Sequence, residues 1–248
     1  MLDYLPQLHQ KLVFNKDDLT LLTGSKQRTA ALLLNYQARG LIVKIRRNLY
    51  CVLNLASSAP EASKVQIACA VTPSATVAYH AAMAYHGFAH QPFYEMSVIS
   101  DTRFTPFEFD GITYRYFRNP IPFGIQTFDY DHSIRVTDLE RTIVDCIDRI
   151  DLCGGVEELM HCLSSVRYAN VEQLLIFLGS YNKIALFKKA GFILSRFAET
   201  LHIPKEFFTR CRSKSDQSIT RLTTIEPCTT YSREWHLYVP QHIDNFII

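Results

Sequence analysis

Between Ser25 and Val52 the spacing of apolar positions changes period twice. At 100° per residue, Ala30, Leu33, Leu34, Ala38 and Leu41 gather on one side of a helix, and Arg28, Leu32, Asn35 and Arg39 fall on the other. The spacing predicts about four turns with one buried and one polar face. Ser25 has the hydroxyl an N-cap needs, and Gly40 can enter the left-handed region that closes a helix. "LIVKI" and "LYCV" follow, rich in β-branched and aromatic residues, so they predict two strands with "RRN" as a hairpin tip. Upstream, "NKDDLTLLTG" predicts a shorter helix that ends at Gly24 and turns tightly into the Ser25 helix.

Farther along, "LNLASSAPEASK" (53–64) is small, polar and proline-punctuated, which suits a linker with a domain boundary near 55–62. After "TPS" (72–74) a helix capped by Thr72 or Ser74 and stopped by Gly87 is expected. The segments "EMSVIS", "ITYRYF", "IQTFDY" and "IRVTD" read as short strands between Pro- and Gly-containing turns, an antiparallel sheet rather than βαβ units. From Thr137 the period is helical again. Thr137-Asp-Leu-Glu140 has the form of a capping box, and Arg141 and Asp145, one turn apart, read as an ion pair on a solvated face. Further helices are expected near 155–165, 170–179, 184–201 and 204–212, then a β-like "WHLYVP". Trp235 reads as a core or domain-packing residue. The expected fold is α+β: an N-terminal winged helix-turn-helix (1–58), then a larger α+β domain (63–248) of antiparallel strands followed mostly by helices.

Charge sharpens this division. Residues 1–60 hold eight Lys/Arg against three Asp, net +5, whereas residues 61–248 hold 18 basic against 21 acidic residues, net −3. A basic module attached to a less basic one is a usual footprint of nucleic-acid binding. In a winged helix the second helix offers its first turn and outer face to the major groove, and the hairpin reaches phosphates. That assigns DNA contact to Ser25, Lys26, Gln27 and Arg28 at the helix start, and to Asn35 and Arg39 on its outer face. The wing supplies Lys44, Arg46, Arg47 and Asn48. The alternative is a winged helix that binds only protein, its cations an ordinary solvated face.

"FNKDDLTLLTGSKQRTAALLLNYQARGLIVKIRRNLYCV" resembles the N-terminal domain of the AbiEi antitoxins, the transcription-regulating half of type IV, abortive-infection toxin–antitoxin pairs. "AYHAAMAYHGF" (78–88), "TDLERTIVDCID" (137–148) and "FKKAGFILSRFAE" (187–199) are similar to later family segments and occur in the family's order. Asn48 stands where the family usually carries a wing-tip glycine; asparagine tolerates positive φ better than other non-glycine residues. The resemblance implies a repressor that binds double-stranded operator DNA at an inverted repeat, two protomers together. It also implies a nucleotidyltransferase-like toxin, countered through the surface around the Thr137–Asp148 helix and the later helices, with or without direct contact. The competing reading is a solitary winged-helix regulator whose second domain binds a ligand or a protein.

Other chemistries find little footing. The seven cysteines form no CxxC pair and read as reduced, mostly buried thiols. His80, His86 and His90 invite a metal, but only His86 and His90 are spaced to converge and no acidic residue lies beside them, so helix-packing roles and no metal are expected. "FEFDG" reads as a hairpin turn rather than a nuclease carboxylate cluster, since no Asp-x-Lys or Glu-x-Lys occurs. No phosphate-binding glycine motif occurs, so neither a cofactor nor an enzymatic activity is expected. No apolar run is long enough to span a membrane and the N-terminus lacks the regions of a secretory signal, which predicts a cytoplasmic protein without a membrane partner.

Overall fold

The computed structural model describes residues 4–128 and 131–246. The first elements are α1 (Leu5–Lys11), β1 (Val13–Asn15), α2 (Lys16–Thr23), α3 (Lys26–Ala38), β2 (Ile42–Arg46) and β3 (Leu49–Val52). Then come α4 (Lys64–Ala70), β4 (Thr76–Val77), α5 (Tyr79–Tyr85), β5 (Glu95–Ser100), β6 (Phe107–Phe109), β7 (Ile112–Arg118), β8 (Ile125–Phe128) and β9 (Asp131–Thr137). The rest is α6 (Leu139–Asp148), α7 (Val156–Ser165), α8 (Val171–Tyr181), α9 (Ile184–Leu194), α10 (Lys205–Ser213), β10 (Thr220–Arg221), β11 (Thr230–Ser232) and β12 (Leu237–Val239). The chain is a mixed α+β protein with sheets ordered β1-β3-β2, β6-β7-β5-β4-β9-β8 and β10-β12-β11. Among the described residues no helix is long and apolar enough to cross a membrane.

Two compact units emerge: Met1–Thr76, Tyr94–Arg118 and Thr127–Arg135 form one; Val77–Phe93, Asn119–Gln126 and Val136–Ile248 form the other. The linker expected near 55–62 therefore lies inside the first unit. Its small polar residues are tied down: the Asn54 side chain accepts from the Ala56 and Ser57 amides, Leu53 bridges Pro60, and His9 Nδ1 meets Glu61 Oε2 at 2.9 Å. Ser63 and Gln66 then form a reciprocal capping box that starts α4, a helix the sequence pattern did not announce.

The antiparallel expectation is corrected. β5 pairs with β7 in parallel over six residues from Glu95↔Thr113 to Ser100↔Arg118, and Val77 of β4 pairs with Val136 of β9 in parallel. The chain leaves β5, passes to β6, and returns through the Asp110–Gly111 turn, so that β7 lies between the two. Both turn residues have positive φ, 52° and 71°, as a tight hairpin favours. Asp129 and Tyr130 of the expected "IQTFDY" strand lie outside the described residues.

Two capping expectations also shift. α5 starts only at Tyr79 with no side-chain cap, because Thr76 and Val77 join the sheet instead. α6 is capped by Asp138, whose carboxylate accepts the Arg141 amide at 2.8 Å, while Thr137 bonds Thr142 at 2.7 Å through hydroxyls and Glu140 accepts the Asn170 amide.

α6 is the second unit's central helix, with Arg141 through Ile147 all buried. Arg141 and Asp145 are thus not on a solvated face. Their ion pair, 3.4 Å from Nε to Oδ2, sits at zero exposure. Arg141 also donates to the Asn119 side chain at 2.8 Å and to the Phe123 carbonyl, and the Tyr181 hydroxyl donates to Asp145. Burial, opposed by Arg141 and Tyr181, raises the Asp145 carboxyl to about 6. A buried pair of this kind is a brace: removing one partner strands the other in a low dielectric. Trp235 is buried against Gly191 of α9, as expected of a core residue.

Candidate nucleic-acid interface

Within the first unit, α2 opens on a reciprocal capping box between Asn15 and Asp18 and ends at Gly24, whose φ of 68° lets the chain reverse into α3. The turn is locked from inside. Buried Thr23 and Thr29 join hydroxyls at 2.7 Å, and Thr29 also donates to the Ser25 carbonyl at 2.9 Å. Ser25 caps α3 by accepting the Arg28 amide at 3.5 Å, a long contact that makes Thr29 the firmer tie.

α3 buries Thr29, Leu32, Leu33 and Tyr36, an i, i+3, i+4, i+7 stripe. This corrects the expected faces: Leu32 points inward, whereas Ala30, Leu34 and Ala38 are exposed, Leu34 at 68%. Two alanines and a leucine fixed the sequence-based face too far round, and Thr29 and Tyr36, whose polar atoms find partners, belong to the core. Lys26, Gln27, Arg28, Asn35 and Arg39 all remain on the solvent side, and Ser25 is half-buried at the cap.

The hairpin separates its cations. β3 is the central strand, flanked antiparallel by β1 and β2. A register shift between Lys44 and Arg46 buries Ile45 and breaks the alternation that would have put both cations on one face. Lys44, Arg47 and Asn48 are exposed, and Asn48 takes the turn's left-handed position at φ 66°. Arg46 is half-buried, its guanidinium 5.0 Å from the Phe107 ring centroid and 5.6 Å from that of Phe104. Burial pulls its pKa below the ordinary value. Of the ten residues expected at DNA, Arg46 is the one the structure turns away into packing; the bulge that turns it leaves no mark in the sequence.

Beside the hairpin tip lies a cleft of about 470 Å³ lined by Lys11, Asn15, Asp18, Arg47, Asn48 and Arg135 among others. Its polarity is largely spent internally. Lys11 pairs with Asp18 at 2.6 Å, and the Arg135 guanidinium donates to the Ala75 and Cys69 carbonyls at 2.9 and 2.5 Å. Lys26, Arg28, Arg39, Lys44 and Arg47, in contrast, take part in none of the ion pairs among the described residues, leaving their charge available to an external anion. Lys11 and Arg135 were missed as cleft residues because they come from α1 and β9, far from the motif in sequence.

No protein-family model matches the sequence, and no curated protein matches it. Among solved structures, the crystal structure of the RV2827C protein from Mycobacterium tuberculosis superposes with a TM-score of 0.66 at 14% identity, covering 98% of this chain and 92% of that one. At that identity the two proteins share a fold along nearly their whole lengths.

Proposed function

We propose that residues 4–52 are a winged helix-turn-helix that binds double-stranded DNA. On this reading the protein is a transcriptional regulator that serves as the antitoxin of a type IV pair. One observation carries it: α2, the Gly24 turn and α3 are followed at once by a hairpin, and the first turn of α3 and the hairpin tip expose cations free of intramolecular ion pairs. On this reading Lys26, Gln27 and Arg28 meet base edges, Asn35 and Arg39 the groove wall, and Lys44 and Arg47 phosphates. The antitoxin half rests on the resemblance to AbiEi proteins, and the toxin is a nucleotidyltransferase-like partner. Because α6 and α9 are both largely buried, the surface that opposes it is sought on the exposed faces of α8 and α10.

Fluorescence anisotropy with the upstream region of the protein's own gene tests the DNA half. Binding is expected at an inverted repeat with half-sites about 34–36 Å apart or a multiple of that, weakening steeply with salt. Arg28→Ala should relax sequence preference at a cost of about 1–3 kcal/mol. Salt-independent binding would overturn the assignment of the basic face. Growth rescue of cells expressing the toxin tests the antitoxin half; failure of the full chain to rescue, with promoter binding intact, leaves a solitary regulator.

A further inference from the structure

We propose that the second unit holds a structural zinc-class divalent cation on His80, His90, Glu158 and Cys162. These residues come from α5, from the loop after it and from α7, yet their donor atoms converge. His80 Nε2 and Cys162 Sγ lie 3.0 and 3.5 Å from Glu158 Oε1, and the donors of these three residues all fall within 4.8 Å of one another. His90 Nδ1 stands 3.8 Å from Glu158 Oε2. Tetrahedral zinc with Zn–N near 2.1 Å and Zn–S near 2.3 Å holds its donors about 3.3–3.8 Å apart; the separations of 3.0, 3.5 and 3.8 Å to the Glu158 carboxylate bracket that range, so small side-chain shifts close the set on an ion.

By sequence spacing only His86 and His90 can converge, with no carboxylate beside them. The structure rearranges that set: His86 Nε2 meets the Thr137 carbonyl at 2.8 Å, and Glu158, 78 residues beyond His80, supplies the carboxylate. Glu158 and Cys162, four apart on α7, share one face of that helix.

A second, independent observation points to a ligand. The Glu158 side chain is 1% exposed; Oε1 takes the His80 ring nitrogen and the His90 and Gln91 amides, whereas buried Oε2 has no hydrogen-bond partner. Next to it His161, stacked on His90 at 4.5 Å between ring centroids, carries a buried Nδ1 that is likewise unpartnered. Buried acceptors without partners are costly and rare, and a cation at Oε2 would satisfy one of them. Charge balances as well. A divalent ion, one carboxylate, one thiolate and two neutral imidazoles sum to zero, so the filled site buries no net charge; on binding, the Cys162 thiol proton passes to solvent. His80, Glu158 and Cys162 converge as three donors, and half-exposed His90, 3.8 Å from Glu158 Oε2, both gives the ion its way in and closes the sphere as the fourth ligand on binding, the form of a structural site.

The test uses the full-length protein. After a chelator wash, elemental analysis should find about one zinc per chain, or one equivalent of added zinc should raise Tm. Cobalt(II) in its place should give tetrahedral d–d bands and a thiolate-to-cobalt charge-transfer band; Cys162→Ser should abolish the latter. Should that variant not fold, His90→Ala, at a half-exposed loop position, should still lower zinc affinity at least tenfold while leaving the circular dichroism unchanged. No retained metal together with no zinc-dependent rise in Tm, or a cobalt spectrum without a thiolate band, would overturn the proposal.

Discussion

Arg46 and Arg47 are neighbours in sequence and perform different tasks. Arg46 lies over two phenylalanine rings, an arrangement that contributes about 0.5–2 kcal/mol, whereas Arg47 reaches solvent at the hairpin tip. Arg46→Ala is therefore expected to lower the urea midpoint by an amount equivalent to about 1 kcal/mol and to leave the salt dependence of DNA binding unchanged. Arg47→Ala should do the reverse, keeping stability and flattening the slope of log K against log salt by about one. Equal salt slopes for the two variants would contradict this division. A second residue-scale case sets a pH dependence. Lys188, fully buried, donates to Asp216 Oδ1 at 2.6 Å, the Ser218 hydroxyl donates to the same oxygen at 2.5 Å, and these two bonds, the Lys188 bond first, push the Asp216 carboxyl down to about 2. A carboxylate depressed in the folded state stabilises it above the unfolded value near 3.9, and that contribution is lost as pH falls toward the folded value. Asp216→Asn should accordingly lower Tm at pH 7, and the gap from the parent protein should close as the pH is taken from about 4 to about 2.

At the scale of elements, local chemistry decided what could be read in advance. α2, α3 and the hairpin were legible because capping residues, left-handed glycines and β-branched runs lie within a few positions of one another. The last four helices start close to where they were expected, Asn170 capping α8 with its side chain, but the expected 184–201 helix is shorter: α9 stops at Leu194 and a 3-10 turn, Ser195–Phe197, follows. What failed depends on distant partners. The parallel pairing of β5 with β7 is set by where the chain crosses over, the bulge at Ile45 by packing, and the burial of Arg141 by acceptors at Asn119 and Phe123. The candidate metal ligands were half legible: the histidines drew notice, but a carboxylate 78 residues away could not be assigned to them. Gly191 shows the same dependence from the other side. In mid-helix a glycine is ordinarily less favourable than alanine by about 1 kcal/mol, so Gly191→Ala would stabilise an isolated α9. Here an added Cβ would fall 2.1 Å from a Trp235 ring carbon. The substitution should destabilise the protein by about 1–3 kcal/mol through overpacking, with a change in fluorescence because Trp235 is the chain's only tryptophan.

For the whole molecule, the distribution of core and charge determines how the two proposed activities can be tested apart. Residues 4–52 bury their own cluster, including Leu8, Phe14, Leu19, Leu33 and Tyr36, and carry most of the basic excess. A cut near residue 60, natural from the sequence, would still divide the first compact unit, because Tyr94–Arg118 and Thr127–Arg135 belong with the N-terminal residues. In a 63–248 fragment, α4 would lose the strand β1 that it packs against, and Phe104 and Phe107 would lose the Arg46 that covers them. Such a fragment is expected to show a broadened, earlier thermal transition and to bind a hydrophobic dye, while residues 136–246 within it keep slow amide hydrogen exchange around α6. A sharp transition at the full-length Tm would instead show that the first unit does not need its N-terminal part. Failure of this fragment to rescue cells from a toxin would thus report unfolding as readily as lost activity. The separation is better made in the full chain with Arg28→Ala and Arg47→Ala together, since neither side chain is buried. That variant should keep the parent Tm, lose promoter binding by at least tenfold at moderate salt, and still rescue growth when the toxin is supplied from an independent promoter. Rescue lost in step with promoter binding would mean that the protein opposes the toxin through transcription alone.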